Sequence, residues 1–290
     1  MAADAGPRLY RPRAPLSRHV EYFGYWERDA VGTHRSRALP RGAVTVVIDI
    51  GGRQRIDFFA ADGRTRLAVP PAFVAGAGTT SYLTQMDAVQ AVMTIHFRPA
   101  GARPYLGGAV GEIEDACVGL TEVWGRAGAE LPERLAGTLS PAGRVRLVED
   151  FLLTRGRTAG PRPRALPAVL AAVEHRPSIR MAELCDLTGL SARSLIAFFR
   201  AEVGMSPKAF ARVRRFQAAL RAMDAGPVGS AAVAADLGFC DQPHLVREFR
   251  ALAAMTPQQY RARRIELPSH AGLETKKSKT ATPGAATMVM

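Results

Sequence analysis

The sequence predicts an α+β protein: a β-rich amino-terminal domain with trailing helices, then an all-α region in which two similar helical units are joined by a long helix. Three observations carry this. Segments rich in β-branched and aromatic residues fall within about the first 155 residues; helical apolar periodicity runs from about 165 to 265; and FRAEVGMSP, ending at residue 207, is rewritten as FRALAAMTP fifty residues later. At 290 residues the chain is long enough for two cores. The division expected is 1–155 for the β-rich domain, 156–164 for a Gly/Pro/Arg linker and 165–265 for the helical domain. The tail, 266–290, lacks apolar periodicity and is expected to be disordered.

In the first zone VEYFGYW (20–26), AVTVVIDI (43–50), IDFFA (56–60) and AVMTIHF (91–97) read as strands bounded by Gly, Pro and Asp clusters. Short strands at this frequency suggest a sandwich or small barrel. Helical character begins near Arg103, and Val145, Val148 and Leu152 space an amphipathic helix over 142–153.

The second zone contains a repeat. With Ser191 aligned on Asp241, Leu195 meets Leu245, Phe199 meets Phe249, Arg200 meets Arg250, Met205 meets Met255, Pro207 meets Pro257 and Phe210 meets Tyr260. In the first copy Leu184 and Leu187 line a short helix, Gly189 ends it and Ser191 caps the next, with Leu195 and Phe199 inward. The second copy has Val233 and Leu237 inward, Gly238 at the corner and Asp241 as cap, with one extra residue in its turn. Each reads as a helix-turn-helix. Ser206 and Thr256 then cap the following helices, with proline at the first helical position. The segment after Pro207 carries Phe210, Val213, Phe216 and Leu220 on one stripe and forms the strut between the units.

Charge sorts with this division. The formal net charge is +13 and the pI near 10.6; residues 161–265 hold 16 Lys and Arg against 8 Asp and Glu. A polyanionic partner fits that excess. No apolar run approaches the roughly 18 residues of a spanning helix, and the first residues lack a hydrophobic signal core, so a cytoplasmic location without membrane contact is expected. Cys117, Cys185 and Cys240 are dispersed and odd in number, which argues for packing residues and against a disulfide framework. The six histidines include no pair three or four apart, so neither a metal nor another cofactor is expected.

GLSARSL, FRAEVGMSP, RRFQAAL, LGFCDQPHLVREFR and MTPQQYRARR together make residues 165–265 resemble the double helix-turn-helix domain of AraC-type (AraC/XylS) transcriptional regulators. The resemblance implies a sequence-specific regulator bound to double-stranded promoter or operator DNA. It also implies contact with RNA polymerase and an amino-terminal domain that senses a small-molecule effector or forms a homodimer. PLSRHVEYFGYW, ALPRGAVTVVIDIGG and IHFRPAGARPYLGG resemble the cupin-like sensory domains attached to some of these regulators.

With the apolar face of each second helix buried, Arg193, Gln242 and Arg247 are the candidates for base contact, since arginine donates twice to guanine and glutamine pairs with adenine. Ser194, Arg200, Arg214, Arg215, His244, Arg250 and Arg264 are candidates for backbone contact; intramolecular ion pairs are the competing role for the arginines, and local capping for His244. Ile196 and Ala197 depart from the family, whose members often carry a polar residue and an arginine there, which leaves the first unit shape, thymine-methyl and phosphate contacts. In the first domain Trp26, Tyr22, Phe58, His96 and Arg98 are candidates for a pocket, with Arg98 the candidate for an anionic effector; ordinary core aromatics and strand-edge charges are the alternative.

Two other classes stay open on sequence alone. A cupin-like enzyme or a DNA-repair protein fused to a DNA-binding domain is opposed by the lack of a metal-spaced His pair, a GxSxG elbow and a P-loop, so no catalytic residue is assigned. An architectural binder would show equal affinity for random and promoter DNA.

Overall fold

In the computed structural model, which describes residues 7–28, 34–50, 56–86, 90–156, 165–226, 229–265, 267–273 and 287–289, the first half is a two-sheet sandwich. Its strands are β1 (Arg8–Tyr10), β2 (Val20–Arg28), β3 (His34–Ala38), β4 (Thr45–Ile50), β5 (Ile56–Phe59), β6 (Arg66–Leu67), β7 (Ala72–Ala75), β8 (Tyr82–Met86), β9 (Gln90–Phe97) and β10 (Cys117–Gly119). Helices α1 (Arg103–Leu106), α2 (Leu120–Trp124), α3 (Arg126–Ala136) and α4 (Pro141–Gly156) trail them. The linker span lies outside the described residues from 157 to 164.

The helical half contains α5 (Ala165–His175), α6 (Met181–Thr188), α7 (Ala192–Val203), α8 (Pro207–Ala225), α9 (Ser230–Asp236), α10 (Gln242–Ala253) and α11 (Pro257–Arg263). Two short strands follow, β11 (His270–Gly272) and β12 (Thr287–Val289). One sheet runs β10-β7-β4-β9-β2-β1-β12 and the other β11-β3-β8-β5-β6. All pairings are antiparallel except β1 with β12.

Period-two alternation sets what each sheet face carries. On β9 and β4, Met93, Ile95, Phe97, Val46 and Ile48 pack under the trailing helices with Trp124, Leu131, Val148 and Leu152. The opposite face sends Val92 and Val47 toward Ile56, Phe58 and Met86 of the second sheet. By the same alternation Thr94 and His96 fall on the side facing the second sheet. Strands β3 and β8 escaped sequence reading because HRSRA and YLTQM are polar; they form because each pairs with the other over five residues.

The helical half packs around Leu195, Phe199, Phe210, Phe216, Leu245 and Phe249, and this core is shared with Leu39, Ala77, Ala100 and Ala271. The caps form as expected: Ser191, Ser206, Asp241 and Thr256 accept from backbone N–H groups at 3.1, 3.2, 2.6 and 3.1 Å. The two turns place Gly189 and Gly238 at φ 69° and 70°.

Three expectations are corrected. Leu187 is 51% exposed, because the short α6 turns only Leu184 into the core. Leu237 is half-buried, and the extra residue of the second turn lets Phe239, 7% exposed, take the core position beside it. Within the tail expected to be disordered, His270–Gly272 adds a strand to β3, with Ala271 fully buried.

The repeats differ where α7 and α10 end. Gly204 holds φ 90° after α7, and a Cβ there would sit 2.8 Å from the Val110 carbonyl oxygen. After α10 the corresponding residue is Ala254, at φ 52°. An L side chain in the left-handed region costs about 1 kcal/mol. Ala254→Gly should therefore raise the denaturant midpoint by the equivalent of roughly 0.5–1 kcal/mol, while Gly204→Ala should lower it; equilibrium urea unfolding of both variants checks the pair.

Candidate nucleic-acid interface and amino-terminal cavity

Helices α7 and α10 each bury one leucine and one phenylalanine four residues apart, which turns the remaining positions outward. On α7 Arg193, Ser194 and Ala197 are exposed and Ile196 is half-buried. On α10 Gln242 and Arg247 are exposed; the Arg247 side chain is 68% exposed and stands 4.0 Å from the capping Asp241 carboxylate. All three base-contact candidates thus lie on outward faces. Arg250 is exposed as well. Ser194 joins the cap, its Oγ 2.9 Å from that of Ser191. His244 takes the local role: its Nδ1 accepts from the Cys240 N–H at 3.2 Å and its ring meets Phe239 edge-on.

Four arginines proposed for phosphates are occupied within the molecule. Arg214 grips Glu174 at 2.6 and 2.7 Å and donates to the Arg41 carbonyl at 3.3 Å, its side chain only 15% exposed. Arg215 lies 4.6 Å over the Phe239 ring and donates to the Gly238 carbonyl at 3.2 Å, fastening the second turn to α8. Arg264 donates to the Asp224 carbonyl at 3.1 Å. Arg200 faces Glu114 of the first domain at 3.9 Å and stays half exposed. Charge counting cannot separate these arginines from Arg193 and Arg250; the carboxylates that Arg200, Arg214 and Arg264 meet, Glu114, Glu174 and Asp224, are remote in sequence.

The first domain contains a cavity of about 280 Å³ between its sheets. Trp26, Phe58 and His96 lie in its wall as the sequence suggested, and the rest of its lining is mainly apolar, including Val47, Ile56 and Met86. Tyr22 stacks on His96 with centroids 4.3 Å apart but does not reach the cavity. Arg98 is misplaced by the sequence reading: it is exposed outside the cavity and donates to the Ser17 carbonyl at 3.1 Å, because the turn after β9 carries it past the sheet.

The cation in the cavity wall is Arg41, in the turn between β3 and β4, which sequence reasoning missed because a lone Pro-Arg-Gly turn carries no periodic signal. Its guanidinium pairs with Glu21, donates to His96 Nδ1 and lies 5.2 Å over the Tyr22 ring. Since Nδ1 accepts, Nε2 carries the proton and donates to Thr94 Oγ at 2.9 Å. Burial, and after it the Arg41 charge, hold the His96 pKa well below its ordinary value. His270 of β11 also lines the cavity, and burial, aided by Arg41 and His34 and opposed by a hydrogen bond with the Pro268 carbonyl, pushes its pKa down to about 4. Among the described residues no group of His, Cys, Asp or Glu is arranged to hold a metal, and no helix is long and apolar enough to cross a membrane.

Twin helix-turn-helix units, each capped and each presenting polar side chains outward from a basic domain, define a DNA-binding transcriptional regulator. The helix-turn-helix domain family matches residues 184–263, and a domain of unknown function (DUF6597) matches residues 8–119. No curated protein matches the chain. A probable AraC family transcriptional regulator from Rhodopseudomonas palustris is 30% identical over 33% of this chain and 92% of its own, with a TM-score of 0.30. ToxT from Vibrio cholerae is 10% identical over 83% of this chain and 97% of its own, with a TM-score of 0.46. ToxT bound to an unsaturated fatty acid is also 10% identical, over 82% and 94%, with a TM-score of 0.42. The chain belongs to the AraC family of transcriptional regulators.

Two predictions follow from the geometry. Arg215→Ala should lower folding stability and leave the salt dependence of DNA binding unchanged, whereas Arg250→Ala should flatten the log Kd against log salt slope by about 0.9; anisotropy titrations over a salt series separate them. Folding stability should decline as pH falls from about 6.5 toward 4. Unfolded His270 takes a proton near its ordinary value while the folded ring resists until about 4. His270→Gln should make the decline shallower, as read by urea unfolding across that range.

Proposed function

We propose that this protein binds promoter DNA sequence-specifically, laying α7 and α10 in successive major-groove segments, and that a small molecule in the amino-terminal cavity modulates the binding. The observation that carries the DNA reading is the pair of outward faces bearing Arg193 on α7 and Gln242 with Arg247 on α10. Helix α8 spans 19 residues, roughly 28 Å at 1.5 Å per residue. With the width of the units added, that suits grooves about 34 Å apart. Arg247 and Gln242 give the second unit guanine and adenine readers; the first, with Ile196 and Ala197, relies on Arg193, shape and methyl contact.

The effector reading rests on a mostly apolar cavity with Arg41, Thr45, Thr94 and His96 in its wall. Its chemistry suits a molecule with an apolar body and one anionic or hydrogen-bonding end, the end taking Arg41 in competition with Glu21. Work on chromosomal DNA in the cytoplasm, contact with RNA polymerase and self-association belong to this reading through family resemblance.

Selection of an operator from random oligonucleotides, followed by gel-shift titration, tests the DNA reading. Arg247→Ala should weaken operator binding by about 1–3 kcal/mol and more than Arg193→Ala. The reverse order overturns the division of labour between the units, and the absence of any preferred oligonucleotide overturns sequence-specific binding.

A further inference from the structure

The segment that follows the last helix of the DNA-binding half does not leave the molecule. After α11 the chain turns back, with Arg264 bridged to Ala271, and lays β11 along the edge of β3. The Leu39 N–H donates to the Ser269 carbonyl at 2.9 Å and the Leu273 N–H to the Arg35 carbonyl at 3.1 Å. Leu267 and His270 of this strap line the cavity of the first domain. The cavity wall is therefore built from both halves of the chain.

A single side chain of the long helix ties the strap to a second part of the wall. Gln217, midway along α8 and 7% exposed, donates from Nε2 to the Pro40 carbonyl at 2.6 Å and accepts at Oε1 from Ser269 Oγ at 3.0 Å. Leu39, Pro40 and Arg41 line the cavity, and so do the neighbouring Leu267 and His270. Both polar ends of the amide are spent on cavity-bearing backbone and strap, inside a helix that supports both helix-turn-helix units. Upstream of the strap, α11 is itself tied to α8: Tyr260 donates to the Asp224 carboxylate at 3.0 and 3.1 Å.

We propose that the strap, residues 267–273, is a wall of the effector site supplied by the DNA-binding half, and that Gln217 is the positioning residue through which occupancy of the cavity is passed to α8. This rests on the effector reading of the cavity above. A three-residue strand held at one edge opens at low cost compared with the sandwich, so a ligand that packs on Leu267 and His270 favours the docked arrangement by its differential contact with it. Docking in turn keeps Ser269 on Gln217 and fixes α8 against the β3–β4 turn.

The test uses the full chain and anilinonaphthalene sulfonate, an apolar fluorescent probe with one anionic end. Fluorescence titration gives its Kd, and amide hydrogen exchange is followed with and without it. In the wild type the probe should bind and slow exchange in both 267–273 and the middle of α8. Ala271→Trp, too bulky to dock, and Leu273→Pro, which lacks the N–H given to Arg35, should each weaken the probe by about tenfold. Gln217→Met, close in shape, should keep the affinity within about twofold and lose the slowing in α8 alone. Unchanged affinity in both strap variants overturns the strap as a wall and leaves the cavity as an effector site. Undiminished slowing of α8 in Gln217→Met overturns the route through that residue. Failure of the wild type to bind, or full binding by the cavity-filling Thr84→Trp, overturns the effector reading and the strap together.

Discussion

The structure depends on the burial of α8 between its neighbours. Phe210, Val213, Phe216, Leu220 and Met223 are almost inaccessible, and Phe210 and Phe216 contact Phe199 of α7 and Phe249 of α10. A helix with one wet face could have bent or slid; this one is pinned on the outer units and on the sandwich at once. Interiors packed in this way transmit displacement because they have few alternative arrangements. Placement of α8 is therefore placement of both α7 and α10.

Polar contacts refine what apolar packing sets. Arg214 and Arg221 both meet Glu174 of α5, and the resulting cluster draws the Glu174 carboxyl below its usual range against the opposing effect of partial burial. Arg103 of the first domain reaches Glu202, whose side chain is 5% exposed at the end of α7, at 3.2 Å. Burying a carboxylate costs several kcal/mol, and the Arg103 guanidinium offsets part of that cost for Glu202.

What was legible in the sequence was what local chemistry determines. The caps at Ser191, Ser206, Asp241 and Thr256, the glycine turns and the alternation of AVMTIHF all act within a few residues, and each was readable. Trp26, Phe58 and His96 could be named for the cavity because aromatic and titratable residues stand out on strands. Contacts fixed by distant partners were not readable. Arg41 enters the cavity wall and Arg98 does not, though both sit in turns beside proline or glycine; the difference is the direction the chain takes at the sheet's end. Arg214 and Arg215 look like phosphate ligands until Glu174 and Phe239 are placed beside them. The strap was hidden for the same reason, since HAG carries no strand signal and pairs only because β3 offers an unmet edge.

The rims of the two sheets share one trait. β6 is two residues long, and β10, β11 and β12 are three each, while the longer strands β2, β4, β8 and β9 lie inside. An extended ribbon of open N–H and carbonyl groups invites another molecule to continue the sheet, and stubby borders withhold that template. Among the described residues the outermost strands therefore offer only a short border on which a second sheet could be continued.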